Sequence, residues 1–231
     1  AMTSLEACED DQEAAWRVNA EAPAAMAEVC SRLGRRMLHF STDYVFGGEE
    51  PGLRGEDAPL GPLSVYGESK AAGESAVLGA GGCVMRVSWL FGPERPAFPD
   101  QVVARVLAGE PVTAVADKTS LPTYTRDLAG WVEEVIEGGC PNEVIHACNG
   151  GEPASWHEMA VFLVGEMARC GAIEGPPEVV PLALDQMGAF RAVRPRHSAM
   201  STGRLEGLLG HRPRGWREAM GDYLRGHLIS R

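Results

Sequence analysis

The amino-acid sequence predicts an α/β protein built on a parallel sheet, and three observations lead to that fold class. Short apolar runs of strand length alternate with longer segments of helical periodicity. The segments between successive runs are long enough for the crossover helices that parallel strands require. The 231 residues, 45% of them hydrophobic, are enough to bury a sizeable core.

The elements follow in order along the chain. Apolar residues three and four apart predict a helix over residues 12–33, which Pro23 interrupts and Gly34 ends. A buried strand is expected at 37–41, followed by a surface loop rich in Gly, Pro and acids at 47–62. The same patterns predict helices over residues 64–78, 99–107, 126–137, 155–170 (opened by a capping box of Ser155 and Glu158), 201–209 and 215–228, and strands over 83–90, 112–116, 144–148 and 179–182.

Composition and charge narrow the class of protein. The net charge of −11 argues against a nucleic-acid backbone as the main partner. No apolar stretch approaches the roughly 20 residues that span a bilayer, so no membrane partner is expected. No secretory signal pattern stands at the start of the sequence, and a cytoplasmic protein is therefore expected.

The cysteines give no sign of a disulfide framework or a metal site. All six are scattered without a C-x-x-C pair, which predicts reduced, mostly buried thiols. His146 and Cys148 share one face of a predicted strand, but no second pair completes four ligands. We therefore expect no structural metal.

A tyrosine and a lysine at the start of the predicted helix 64–78 indicate chemistry. Tyr66 and Lys70 form a Y-x-x-x-K pair, and a spacing of four places phenol and ammonium on one helical face. A nearby cation lowers the pKa of a tyrosine from about 10 toward the range useful for acid–base catalysis. By itself the pair also fits a solvated helix face.

A second motif lies where the strand 37–41 ends. Residues 41–47 read S-T-D-Y-V-F-G, and residues at the carboxyl edge of strands in open α/β sheets are where ligands bind. With P-L-x-V-Y-G-x-S-K-x-x-G-E at 62–74, this segment resembles the core of the dTDP-4-dehydrorhamnose reductase family, extended short-chain dehydrogenases/reductases. The similarity continues nearly to the end of the chain, through R-V-S-W-L-F-G (86–92), L-P-T and D-L-A (121–129) and R-P-R-H-S-A-M (194–200).

The resemblance implies a fold and an activity. The fold is a Rossmann-type doubly wound parallel sheet, N-terminally incomplete here, with a smaller C-terminal substrate-binding part. The partial NAD(P)-binding domain is expected at 1–92, with 126–149 returning to it, and the substrate part at 93–125 and 150–231. The implied activity is reduction of the 4-keto group of a nucleotide-activated 6-deoxyhexose by NADPH or NADH. The resemblance leaves a homodimer open.

The family's catalytic residues carry over onto three positions. Tyr66 is implied as proton donor to the sugar carbonyl oxygen. Lys70 is implied to tune Tyr66 and to bind the nicotinamide ribose, and Thr42 to orient and polarise the carbonyl. Asn19 matches an asparagine common in extended reductases, although a helix-surface amide fits equally well.

Further positions are implied in binding. For the cofactor these are Ala1, Thr3, Ser41, Val87 and Ser88, together with Tyr66 and Lys70. For the sugar nucleotide they are Thr42, Asp43, Tyr44, Trp89, Arg194 and Arg196. Each of four positions also has a purely structural interpretation. Asp43 would be a carboxylate that bonds loop amides, Trp89 would pack in the core, and Arg194 and Arg196 would be solvated surface groups.

One expected part of the family pattern is not in this sequence. Intact members open with a strand, a G-x-x-G-x-x-G turn and a helix that bind the cofactor's pyrophosphate. The resemblance places roughly 60 residues of that kind before Ala1. Either the protein has a further N-terminal segment, or it begins here with half a sheet. The exposed edge of a half sheet favours the first.

Rival functions stay open. A sugar-nucleotide dehydratase resembles S-T-D-E at this strand end, but Tyr44 stands where the glutamate would be, which disfavours dehydration. An epimerase or another reductase of the superfamily is an alternative. A non-catalytic NADP-binding regulatory subunit, like the beta subunit of methionine adenosyltransferase, is another, and retention of Thr42, Tyr66 and Lys70 favours an enzyme over it.

Overall fold

The computed structural model describes residues 1–229. Between residues 38 and 182, strands or short runs of strands alternate with helices, as the sequence predicts. The strands are β1 (Leu38–Thr42), β2 (Cys83–Val87), β3 (Leu90–Phe91), β4 (Val112–Val115), β5 (Thr119–Ser120), β6 (Thr123–Tyr124), β7 (Val144–His146), β8 (Ala154–Ser155) and β9 (Val179–Leu182). The helices are α1 (Leu5–Asp10), α2 (Gln12–Trp16), α3 (Ala22–Arg32), α4 (Val65–Gly79), α5 (Phe98–Leu107), α6 (Thr125–Glu137), α7 (Trp156–Arg169), α8 (Gly203–Leu209) and α9 (Trp216–Tyr223).

A parallel sheet in the order β1-β2-β7 carries the candidate site. The register pairs Leu38 with Cys83 and Thr42 with Val87, and β7 joins the other side of β2. Because the strands are parallel, their carboxyl ends share one edge, where Thr42 and Val87 lie side by side. The remaining strands form three small two-stranded sheets: β3 with β6 and β4 with β9 are parallel, and β5 with β8 is antiparallel.

Two predicted strands end earlier than the sequence indicated. The prediction of a strand over 83–90 is wrong beyond Val87, because Trp89 adopts a left-handed backbone with φ of 41°. Such a backbone cannot continue a pleated strand, so Leu90 begins a separate strand that pairs with β6 instead. The strand predicted at 144–148 ends at His146. The chain therefore leaves the sheet at the level of the site.

The helix predicted over residues 12–33 is interrupted near Pro23, as the sequence indicated. The interruption is a π-helical turn. Residues Arg17–Glu21 form this turn between α2 and α3, and Ala22 N–H donates to the Arg17 carbonyl five residues back. Pro23 has no N–H for the carbonyl four residues earlier, that of Asn19. π-helical turns of this kind are frequent at functional sites.

The capping box predicted at residue 155 is confirmed. Ser155 Oγ accepts a hydrogen bond from Glu158 N–H at 3.1 Å, and the Glu158 carboxylate accepts one from Ser155 N–H at 2.7 Å. The helix that it opens, α7, packs its apolar face into the largest core cluster with α5, α9 and β4. In residues 1–229, no helix combines the length and the apolar character needed to cross a membrane.

A buried ion pair joins α4 to the central strand. Arg86 and Glu74 are 3% and 2% exposed, and the guanidinium donates twice to the carboxylate, at 2.9 and 2.7 Å. The remaining guanidinium nitrogen, Arg86 Nη1, lies 3.2 Å from His146 Nε2. Burial, followed by the charge of Arg86, lowers the pKa of His146 to about 3, so the imidazole is neutral at pH 7. Its Nε2 can therefore accept from Arg86.

We expect Glu74→Gln to destabilise the protein strongly, because it leaves the Arg86 charge buried without its partner. The expected loss is about 3–5 kcal/mol of unfolding free energy, measured by urea denaturation. Glu13→Gln is the matched control, since the Glu13–Arg17 pair is solvent-exposed, and it should cost less than about 0.5 kcal/mol. Equal, small losses for both variants would show that the buried pair does not hold α4 to the sheet.

Candidate functional site

The candidate site lies where β1 ends and α4 begins. Thr42 is the last residue of β1, and Tyr66 stands in the first turn of α4, which Ser64 caps through a bond from Gly67 N–H at 3.3 Å. A Cβ on Gly67 would lie 2.4 Å from the Tyr44 carbonyl oxygen. Glycine at this position therefore lets the start of the helix approach the turn that follows Thr42.

Tyr66 is buried, and the side chain of Thr42 lies near its phenol. Burial raises the pKa of Tyr66 to about 12, and the neighbouring Thr42 hydroxyl opposes that rise. The ring of Tyr44 meets the Tyr66 ring edge to face, with 5.8 Å between centroids. At neutral pH the phenol is protonated, which is the form that a proton donor needs.

Lys70 lies one turn further along α4, but its ammonium contacts β1. Lys70 Nζ donates to the Phe40 carbonyl at 2.6 Å and meets His39 Nε2 at 3.1 Å. Burial lowers the pKa of Lys70 to about 8, against the opposing charge of Glu74. The expectation that the lysine lowers the pKa of Tyr66 is not met here, because burial of the phenol dominates.

Asn19 links the π-helical turn to α4 and to the start of the chain. Its amide is fully buried and binds Met2 twice: Oδ1 accepts from Met2 N–H at 2.8 Å, and Nδ2 donates to the Met2 carbonyl at 2.9 Å. Nδ2 also donates to Ser69 Oγ at 3.2 Å. The surface-amide interpretation of Asn19 is therefore wrong. Ala1 and Thr3, the expected cofactor residues on either side of Met2, are exposed.

Two buried polar atoms in the described part of the chain have no hydrogen-bond partner, and both belong to predicted site residues. They are Ser41 Oγ, near the carboxyl end of β1, and Trp89 Nε1. Buried polar groups are rarely left unpaired outside functional sites. Ser41 stands at the carboxyl edge of the sheet, where open α/β sheets bind their ligands. Its unpaired hydroxyl therefore fits the cofactor contact expected from the sequence.

The other two predicted cofactor residues, Val87 and Ser88, lie at the end of the central strand β2 and are both buried. Val87 is buried at the end of β2, beside Thr42 in the register. Ser88 is also buried, but its hydroxyl donates to the Leu121 carbonyl, and its N–H donates to Thr123 Oγ1 at 3.4 Å. The hydroxyl of Ser88 is therefore occupied within the protein.

Asp43 is a fully buried carboxylate that binds hydroxyls, not the loop amides expected from the sequence. It accepts from Thr42 Oγ1 at 3.1 Å, from Ser120 Oγ at 3.3 Å and from Ser198 Oγ at 2.5 Å. Burial raises the pKa of Asp43, and Lys118 leads the opposing influences. The Thr42 hydroxyl, which lies near Tyr66, thus also contacts a buried carboxylate.

Both predicted diphosphate arginines already have carboxylate partners. Arg194 donates to Glu6 Oε1 at 2.8 Å and stacks on the Phe190 ring, 3.7 Å from its centroid. Arg196 pairs with Asp117 and is about half exposed. Arg194 is 8% exposed, so the solvated-surface interpretation of this arginine is wrong.

Lys118 is a site residue that the sequence interpretation missed. Its side chain is fully buried, with the ammonium near the rings of Tyr44 and Trp89. A signal was present, because Lys70 and Lys118 are the only lysines of the sequence. Within residues 1–229, no group of three or more His, Cys, Asp or Glu side chains could hold a metal ion.

Comparison with known proteins supports the resemblance. The family model described as the RmlD substrate binding domain matches residues 1–228. A dTDP-4-dehydrorhamnose reductase of Mycolicibacterium smegmatis is 33% identical over 228 residues, which are 96% of this chain and 67% of the relative. A probable dTDP-4,6-dihydroxy-2-methyloxan-3-one 4-ketoreductase of Streptomyces antibioticus is 36% identical, covering 95% of this chain and 73% of that protein.

A solved structure matches the fold closely. The crystal structure of a dTDP-4-dehydrorhamnose reductase from Bacillus anthracis in complex with NADP has a TM-score of 0.87 and 26% identity. The match covers 98% of this chain and 78% of that chain. The parallel sheet and the similarity to these reductases thus define a Rossmann-type oxidoreductase of the NAD(P)-dependent short-chain class. Within that class, the chain belongs to the RmlD substrate binding domain family.

We expect Gly73→Ala to disturb the site through Asn19. A Cβ on Gly73 would lie 2.3 Å from the Asn19 backbone carbonyl, so the π-helical turn must move away from α4. The expected loss of unfolding free energy is about 1–3 kcal/mol, measured by urea denaturation. Gly79→Ala in the same helix is the control, because nothing lies within 4 Å of its added Cβ. A loss no larger than in the control would contradict the close contact.

Proposed function

We propose that this protein reduces the 4-keto group of a nucleotide-activated 6-deoxyhexose, of the dTDP-4-dehydrorhamnose type, with NADPH or NADH. The observation that carries the proposal is the buried Tyr66 phenol, protonated at neutral pH and placed in the first turn of α4 near Thr42, at the carboxyl edge of the sheet. The names of the two relatives described above support the substrate class, since each is a reductase of a dTDP-linked sugar ketone.

Three side chains divide the work in the proposed reaction. Tyr66 gives its proton to the carbonyl oxygen of the sugar as that oxygen gains negative charge. Thr42 orients the carbonyl through its hydroxyl, which lies near the Tyr66 phenol. Lys70, whose ammonium binds the Phe40 carbonyl on β1, binds the nicotinamide ribose in this proposal. The nicotinamide, when bound, supplies the hydride.

The cofactor is proposed to lie along the carboxyl ends of β1 and β2. Ser41 offers its unpaired hydroxyl there, Val87 and Ser88 border the nicotinamide, and Ala1 and Thr3 lie beneath the dinucleotide. This assigns residues 1–92 to cofactor binding, with 126–149 contributing β7 to the same sheet. Residues 93–125 and 150–231 are then mainly the substrate part.

The sugar is proposed to sit against Tyr44 and Trp89, close to Asp43. The left-handed backbone of Trp89 is a strained conformation of the kind that clusters at functional sites. Its indole Nε1 is buried without a partner in the described part of the chain, so a sugar hydroxyl could accept from it.

We expect Tyr66→Phe to abolish turnover while NADPH binding persists, because only the phenolic proton is removed. The expected loss in kcat is about 100-fold or more, measured by NADPH oxidation with a dTDP-4-keto-6-deoxy sugar. NADPH binding, followed by cofactor fluorescence, is the control. If neither the wild-type protein nor Tyr66→Phe reduced the sugar while both bound NADPH, the result would favour a non-catalytic regulatory subunit instead.

Arg194 is proposed to exchange its carboxylate partner, Glu6, for the diphosphate of the substrate. Arg194→Met should raise KM for the sugar nucleotide about 10- to 100-fold with little change in kcat, because a charge-assisted bond contributes roughly 1.5–3 kcal/mol. Arg191→Met is a matched control, since Arg191 binds Asp10 on the same helix, α1, at 2.9 and 2.8 Å but is exposed. Equal effects of both variants would assign Arg194 to docking of α1 and not to the diphosphate.

A further inference from the structure

His39 is a buried imidazole that the proposed reaction leaves without a role. It lies on β1 and is 9% exposed. Its Nε2 lies 3.1 Å from Nζ of Lys70 on α4. The ring also packs on α4 at Gly73, where an added Cβ would lie 3.6 Å from the same nitrogen. His39 is therefore in direct contact with the helix that carries Tyr66 and Lys70.

The ammonium of Lys70 finds its partners inside the protein. Lys70 is 2% exposed, and a lysine is almost never buried this deeply unless its charge is compensated. The carboxylate one turn further along α4, that of Glu74, already accepts from Arg86 at 2.9 and 2.7 Å. The groups that bind the ammonium directly are two acceptors on β1, the Phe40 carbonyl at 2.6 Å and the His39 imidazole at 3.1 Å.

The contact between Lys70 and His39 fixes where the imidazole carries its proton. An ammonium has three N–H donors and no acceptor. A ring nitrogen 3.1 Å from it must therefore accept, so Nε2 of His39 is unprotonated and the ring proton is on Nδ1. Burial, followed by the charge of Lys70, lowers the pKa of His39 to about 4, which agrees with a neutral ring at pH 7.

The two acceptors on β1 leave one N–H of Lys70 for a ligand. Phe40 and His39 take two of the three N–H bonds, and in the described part of the chain the third has no further acceptor. Ser41 lies two residues beyond His39, so the two side chains share one face of β1. The unpaired Ser41 hydroxyl and the third N–H are therefore both available at the edge where open α/β sheets bind ligands.

We propose that His39 is a positioning residue for Lys70: its imidazole and the Phe40 carbonyl fix two N–H bonds of the ammonium, so that the third is presented to a ribose hydroxyl of the nicotinamide cofactor. His39 acts through Lys70 and does not itself meet the cofactor. This role rests on the ribose binding proposed above for Lys70, whereas the hydrogen bond between the two side chains does not.

The hydrogen bond can be tested without cofactor or turnover. In protein carrying 15N-labelled histidine, the His39 signals are assigned among those of the six histidines by their loss in His39→Gln. The wild-type protein should show a protonated Nδ1 and an unprotonated Nε2 at pH 7. Lys70→Met removes the donor, and the ring proton should then become free to occupy Nε2. A protonated Nε2 in the wild-type protein would overturn the inference.

NADPH binding tests the positioning role with two substitutions at one position. His39→Leu keeps the space filled but cannot accept a hydrogen bond, so it should weaken NADPH binding about 10-fold, measured by cofactor fluorescence. His39→Gln retains an acceptor oxygen and should recover most of that loss. In turnover, KM for NADPH should rise more in His39→Leu than kcat falls, because the proton donor Tyr66 is unchanged.

The other outcomes separate this role from the proposed reaction. Wild-type affinity for NADPH in His39→Leu, or an equal loss in both variants, would refute the role, because an acceptor does not rescue a purely structural histidine. Failure of the wild-type protein to bind NADPH would refute it as well. A wild-type protein that binds NADPH but does not reduce the sugar would refute the proposed reaction alone, since the binding comparison still tests His39.

Discussion

The buried carboxylate of Asp43 is the interaction on which the candidate site depends. Its three hydroxyl partners come from the end of β1, from β5 and from residue 198, so one side chain joins segments up to 155 residues apart in sequence. The same carboxylate therefore holds β5 and residue 198 next to Thr42. A buried carboxylate is costly unless it is compensated, and the site provides both hydroxyl donors and the Lys118 cation.

Burial dominates the electrostatics of the whole site. It raises the pKa of Tyr66 and lowers the pKa values of His39, Lys70 and Lys118, in each case ahead of any single charge. The pKa of His39 falls to about 4, so the imidazole is neutral and can accept from Lys70. The Tyr66 phenol is accordingly in its protonated form at neutral pH.

The short helix α1 connects the two proposed parts of the protein through its acidic side chains. Glu6 and Asp10 bind Arg194 and Arg191 of the segment before residue 198, while Glu9 accepts from the first N–H of α4, that of Val65, at 3.0 Å. The helix therefore stabilises the N-terminus of α4, where Tyr66 lies, and the arginine proposed to meet the diphosphate. Arg194 and the helix start that carries Tyr66 are linked through these few contacts.

The sequence by itself determined the order of the longer strands and helices, the capping box at Ser155 and the motifs around Thr42 and Tyr66, because those depend on local periodicity and on residues close together in the chain. It did not reveal the strand break at Trp89, the burial of Asn19 or the burial of Lys118. Each of these depends on contacts with distant segments: Thr123 for the strand, Met2 and Ser69 for the amide, and Pro195 for the ammonium. Only tertiary structure decides whether a polar side chain is buried, and burial is what sets its charge.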